Sequence, residues 1–157
     1  MLHGKMGRLN KKNCRLLKFN WIGSRDRGYL VPIEENKNIP FEIKRVYYTY
    51  GVPIGTERGF HAHKHLEQVL ICLNGSFKIR CFDGENKEVY ELNSQEEGLY
   101  IGNLVWREIY DYSENSVLIS LASKYYSEED YIRDYDEFVK IVEDIRGESQ
   151  LDENNSI

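Results

Sequence analysis

Between Arg15 and Ala122 the apolar residues fall in short runs separated by turn-forming residues, the pattern of β-strands rather than of long helices. Gly28 to Ile33, Lys44 to Tyr50, Gln68 to Leu73, Ser76 to Phe82, Glu88 to Leu92, Leu99 to Ile101, Trp106 to Tyr112 and Val117 to Ala122 are the predicted strands. Asn74-Gly75 and Asp83-Gly84 are two-residue hairpin signals, so the strands on either side of them are expected to form a three-stranded meander. Such spacing indicates an all-β sandwich or barrel. Only the end of the chain changes period: Tyr131, Tyr135, Phe138, Val139, Val142 and Ile145 recur at helical intervals behind Ser127 as N-cap and Glu128, Glu129 and Asp130 as an acidic first turn. One helix is therefore expected, packed on the outside of the barrel. Residues 1–14 are expected to be a flexible N-terminus, 15–146 the folded domain, and 147–157 a disordered acidic tail.

Composition narrows the class. A chain of 157 residues with 41% hydrophobic side chains suits one domain, which buries roughly two-thirds of its unfolded surface. The longest apolar runs, such as Val69 to Leu73 and Val117 to Ala122, fall short of the roughly 20 residues of a membrane span. Lys5, Arg8, Lys11 and Lys12 are not followed by an apolar segment, so no secretory signal is expected and the chain is placed in the cytoplasm, away from membranes. Three cysteines, Cys14, Cys72 and Cys81, without CxxC spacing read as reduced thiols, Cys72 and Cys81 as core. Residues 1–67 hold 13 basic against 6 acidic side chains, whereas the remainder is strongly acidic and the whole carries −5. No basic run is interleaved with aromatics, so nucleic acid is not an expected partner; a phosphorylated small molecule suits the basic half.

The chemistry concentrates at His61, His63 and His65. In an extended strand His61 and His63 share a face, and Glu67 joins them if the strand continues. Glu67 is read either as a partner orienting a histidine or as a strand-face carboxylate. Two imidazoles and a carboxylate could hold iron, manganese or zinc. However, no histidine follows His65. No tightly bound metal is expected. Acid-base chemistry suits the pair better, because imidazole titrates near neutrality and can take a proton beside a carbonyl and return it elsewhere.

Gly55, His61, His63, Glu67 and Gly75 resemble the first sequence motif of the cupin β-barrels, with the last spacing one residue longer. The segments Asp26-Arg27-Gly28, Ile39 to Tyr48, Arg58 to Leu70, Cys72 to Ser76, Gly98 to Ile101, Val105 to Glu108, Leu121 to Tyr126 and Asp130 to Asp136 together are similar to the nucleotide-sugar 3,4-ketoisomerase family, over roughly residues 26–140. The resemblance implies an antiparallel cupin-type barrel (jelly roll) with one C-terminal helix, a homodimer, and conversion of dTDP-4-keto-6-deoxyglucose to the 3-keto sugar through an enediol without a cofactor. By the same resemblance the second cupin motif, from which metal-binding cupins take a further histidine, holds Arg107 here, a guanidinium that cannot coordinate.

It also implies roles. His61 and His63 handle the protons, and Tyr47 bonds the enediolate or relays a proton. Arg27, Arg45, Arg58 and Arg107 are candidates for the substrate's diphosphate, since guanidinium matches phosphate oxygens. In this family the residues matching Arg27 and Arg107 bear on the face that receives the C4 proton, galacto or gluco. Trp106 alternates with Arg107 and points to the opposite layer. The product ketone would feed a pyridoxal-phosphate aminotransferase on the way to a 3-amino-3,6-dideoxyhexose. Three other readings remain: a dTDP-sugar 3,5-epimerase-like enzyme, a non-catalytic nucleotide-sugar-binding cupin, and a metal-dependent dioxygenase.

Overall fold

The computed structural model describes residues 13–154. In chain order the strands are β1 (Cys14–Lys18), β2 (Ile22–Ser24), β3 (Gly28–Leu30), β4 (Arg45–Tyr50), β5 (Arg58–His63), β6 (Gln68–Asn74), β7 (Phe77–Phe82), β8 (Lys87–Leu92), β9 (Glu97–Ile101), β10 (Trp106–Tyr110) and β11 (Val117–Ala122). A single 3-10 turn (Glu128–Asp130), β12 (Tyr131–Ile132) and α1 (Tyr135–Asn154) complete the chain. Two antiparallel five-stranded sheets, β1-β9-β6-β11-β4 and β12-β5-β10-β7-β8, face each other, while β2 and β3 form a separate hairpin.

Alternation along β6 explains its unbroken apolar run. Leu70 and Cys72 enter the core between the sheets with Phe77, Ile79, Cys81, Leu99 and Leu118. Val69 and Ile71 enter a second cluster with Phe19, Ile39, Phe41 and Leu121, which the segment after β3 lays over the outer face. A strand covered on both faces needs no polar alternation. A third cluster, Ala62, Leu104, Trp106, Ile132, Phe138 and Val142, seats α1 on the outer face of the other sheet. The helix outside the barrel and the outward Trp106 match the sequence expectation.

Four expectations change. The meander does not form: β7 pairs with β8 across Asp83-Gly84, but β6 pairs with β9 and β11 in the opposite sheet. The Asn74-Gly75 turn, with Gly75 at φ +71°, carries the chain from one sheet to the other. Ser127 makes no side-chain cap and is extended at φ −148°. Tyr131 and Ile132, expected in the first turns of the helix, are instead drawn into pairing with His63 and Ala62. The helix starts beyond them, where Asp134 accepts the N–H of Glu137 at 2.8 Å, a capping position followed three residues on by glutamate. Finally, α1 continues past Gly147 to Asn154, where a loose tail was expected. Missing apolar periodicity there marks a turn of helix with no buried face, not the absence of helix. At the other end Cys14 already pairs with Ile101, so the first strand begins inside the span expected to be flexible; residues 1–12 and 155–157 lie outside the described residues. Among the described residues no helix is long and apolar enough to cross a membrane.

Candidate active site

The site lies on the inner faces of both sheets, and a β-bulge builds it. Along the β5 and β10 pairing, Arg107 stands opposite His61 but Ile109 stands opposite Arg58, so Gly59 and Phe60 share the space facing Glu108. Gly59 (φ +91°) and Phe60 (φ +54°) take up the distortion. Arg58 and His61 are three positions apart and would occupy opposite faces of a regular strand. The extra residue restores parity, and Arg58, His61 and His63 share the inward face with Arg107.

The imidazoles of His61 and His63 meet edge to face, with centroids 4.8 Å apart at 87°. Tyr131 covers both, at 5.0 Å from His61 and 4.4 Å from His63. His61 Nδ1 lies 3.0 Å from the carbonyl oxygen of Gly59. His63 Nδ1 lies 3.1 Å from a carboxylate oxygen of Asp130. Both partners are acceptors, so each ring carries its hydrogen on Nδ1 and keeps a lone pair on Nε2. Burial, and then the Arg107 cation, lower the pKa of His61 to about 4. The same two causes, in the same order, push His63 well below its ordinary value. Both rings are therefore neutral near pH 7, which is the form a base requires.

Arg107 is only 1% exposed. Its Nε and one terminal nitrogen donate to the carbonyl of Val105, at 3.3 and 2.9 Å, and the other terminal nitrogen donates to Gln68 Oε1. This fork is aimed at the protein, so Arg107 acts here as a buried cation beside the histidines. Gln68 Nε2 in turn donates to the hydroxyls of Tyr47, at 3.1 Å, and Ser120, at 2.9 Å. Tyr47 is thus joined to the site from β4, across the barrel from β10.

The other arginines separate. Arg45 is half-buried, with its guanidinium 5.2 Å from the Tyr47 ring and 5.6 Å from that of Tyr126. Among the described residues its Nε is buried without a hydrogen-bond partner, and its charge also lowers the His63 pKa. Arg58 is exposed at the start of β5 on the histidine face. Arg27 is exposed in the β2–β3 turn, on a sheet separate from both that build the site.

Sequence reasoning missed four participants. Asp130 orients His63 in the place considered for Glu67, whose carboxylate instead accepts from the hydroxyl of Tyr100. Tyr131 roofs the imidazoles, and Arg133 lies over its ring at 4.2 Å while paired with Glu128. Asp130, Tyr131 and Arg133 were hidden inside a helical pattern. Gln68 did carry a signal, as the polar head of an apolar run. Among the described residues no group of three or more His, Cys, Asp or Glu side chains is placed to hold a metal ion.

Comparison with known proteins places this geometry. Residues 12–143 match the family model described as FdtA: WxcM-like, C-terminal. A TDP-4-oxo-6-deoxy-alpha-D-glucose-3,4-oxoisomerase from Aneurinibacillus thermoaerophilus is 53% identical over 124 residues, 79% of this chain and 89% of that relative. A histidine-to-asparagine variant of the QdtA 3,4-ketoisomerase from Thermoanaerobacterium thermosaccharolyticum, solved with TDP-4-keto-6-deoxyglucose, aligns at TM-score 0.82 and 50% identity over 85% of this chain and 96% of its own. The WlaRB TDP-quinovose 3,4-ketoisomerase from Campylobacter jejuni aligns at 0.79 and 48% identity over 82% and 98%. The RmlC epimerase of Mycobacterium tuberculosis, at 13% identity and TM-score 0.65 over 78% and 69%, shares the cupin-type fold alone.

Proposed function

This chain belongs to the FdtA family, and from that premise we propose that it is an isomerase that converts dTDP-4-keto-6-deoxyglucose to the dTDP-3-keto-6-deoxyhexose. The observation that carries the reading is the pair of neutral imidazoles, edge to face on the inner wall of the barrel, with Nε2 on each unbonded among the described residues.

The reaction needs no electron carrier. An imidazole takes the proton from C3, and the C–H electron pair forms the C3–C4 double bond of an enediolate with its charge on O4. Protonation of O4 gives the enediol. Loss of the O3 proton and delivery of a proton to C4 then leave the ketone at C3. Arg107 places positive charge beside the developing enediolate, and Tyr47 offers it a hydroxyl. The Asp130 carboxylate favours the imidazolium that forms when His63 takes a proton. Arg45 and Arg58 remain free to meet the diphosphate. Arg107 enters the reading as a cavity cation rather than a phosphate fork.

A homodimer belongs to the same reading. The β2–β3 hairpin and β4 expose Trp21, Ile22, Tyr29, Leu30, Tyr48 and Tyr50, large apolar groups of the kind that oligomer contacts cover. Arg27 rides on that hairpin, so its contribution to substrate binding would depend on such a contact. The C3 ketone of the product is the functional group that a pyridoxal-phosphate aminotransferase consumes.

The test is to incubate the protein with dTDP-4-keto-6-deoxyglucose in deuterated water and follow the sugar by NMR. A 3-keto product with deuterium at C4 is expected. A ketone retained at C4 with inverted centres at C3 or C5 would identify an epimerase instead. His61→Asn and His63→Asn should each lower turnover by about 10²–10⁴-fold, the range of a lost acid or base, while dTDP still binds. Binding with no turnover in the unaltered protein would leave only a nucleotide-sugar-binding cupin.

A further inference from the structure

We infer that Gln68 is a positioning residue that sets the direction of the Tyr47 hydroxyl and so makes Tyr47 a proton donor toward the sugar. The inference rests on the ketoisomerase reading above. Gln68 opens β6 and is only 3% exposed. Its amide has two orientations in principle, but Arg107 removes the choice. A guanidinium offers donors only, so Oε1 must face Arg107, as it does.

Both amide hydrogens then point the other way, one to Tyr47 and one to the fully buried Ser120 hydroxyl. The phenol oxygen of Tyr47 is thereby an acceptor from Gln68. Among the described residues the Tyr47 hydroxyl has no other hydrogen-bond partner, so its own hydrogen is free to leave the protein side. Tyr47 is 38% exposed, half in the wall and half open. The Arg45 guanidinium over its ring limits the swing of the phenol. A buried cation thus orients an amide, the amide orients a hydroxyl, and the hydroxyl proton is presented to the enediolate oxygen. A tyrosine held this way can stabilise the oxyanion by donation without having to be ionised first.

Gln68→Glu tests the direction rather than the presence of the bond. The carboxylate still accepts from Arg107 and fills the same space, but toward Tyr47 it can only accept, so the phenol hydrogen turns inward. Expected is a fall in kcat of about tenfold or more, with KM and dTDP affinity near those of the parent protein and no loss of Tm. Because that carboxylate also offsets the Arg107 cation beside the enediolate, the coupling to Tyr47 is read with Gln68→Met, which leaves the charge of Arg107 in place and the phenol without its donor: Tyr47→Phe with Gln68→Met should be no slower than Tyr47→Phe alone. An unchanged kcat in both Gln68→Glu and Gln68→Met, or effects of Gln68→Met and Tyr47→Phe that multiply, would overturn the inference and mark Gln68 as packing. Full activity of Tyr47→Phe would overturn it too. Failure of the unaltered protein to isomerise the sugar would instead defeat the underlying reading.

Discussion

The Asp130 carboxylate stands 3.1 Å from Nδ1 of His63 and also takes the backbone N–H groups of His65, at 2.8 Å, and Leu66, at 3.3 Å. One side chain therefore orients an imidazole and closes the turn that follows β5. Asp130→Asn keeps an acceptor but removes the charge that favours a His63 imidazolium. Its kcat should fall by about 10²-fold, the lower end of an acid-base contribution, with little change in Tm. Asp130→Ala also strands the two N–H groups and should cost roughly 1–3 kcal/mol of stability, read as a lower urea midpoint. Equal stability and equal kcat in all three proteins would show that the contact does nothing.

The two histidines make stability depend on pH with a definite sign. The ordinary histidine pKa is 6.5, and in the folded protein His61 is lowered to about 4 by burial and then by Arg107. Between those values the unfolded chain binds more protons, so stability is fully present above 6.5 and is lost as pH falls toward 4. His63 adds to the same trend. Urea unfolding at pH 7, 5.5 and 4.5 should show falling midpoints, and His61→Asn should flatten the slope. The acid limb of kcat/KM should likewise lie well below 6.5 and move up in Arg107→Met. A limb already at 6.5 in the unaltered protein would refute the buried-cation effect.

At Gly59 a methyl group would lie 2.9 Å from the carbonyl oxygen of Arg107, at a φ of +91° that side chains rarely adopt. Gly59→Ala should therefore lose about 1–3 kcal/mol together with turnover, since relaxing the bulge rotates Arg58 away from the histidine face. Circular-dichroism melting and the isomerase assay give both readings. A fully stable, fully active Gly59→Ala would mean that the bulge is not needed.

Phe138 is fully buried against the outer side of β5, in the cluster that contains Ala62, the residue between the two histidines. Phe138→Ala should cost about 3–5 kcal/mol and lower Tm sharply. At low temperature the folded fraction should keep its kcat, because the inner face is untouched. Loss of kcat without loss of Tm would contradict this separation.

Strand positions were legible because each carries its own burial pattern. Val117 to Ala122 was read to the residue, and the histidine pair was placed on one face by spacing alone. The Asn74-Gly75 turn misled because a tight turn reverses the chain equally well within a sheet or between two sheets. Tyr131 has helical spacing with the residues after it and nonetheless pairs as a strand, since the exposed edge of β5 offers hydrogen bonds that local propensity does not anticipate.

Residue types and their periods were sufficient for an all-β chain closed by one helix and for two imidazoles sharing a face. Those properties follow from alternation and from side-chain chemistry, which are local. The bulge that brings Arg58 into line, the carboxylate of Asp130 on His63, and the chain from Arg107 through Gln68 to Tyr47 were decided only by the fold. Each of the last two joins groups far apart in sequence. Their contact depends on how two sheets are registered and packed, and no single stretch of chain encodes that.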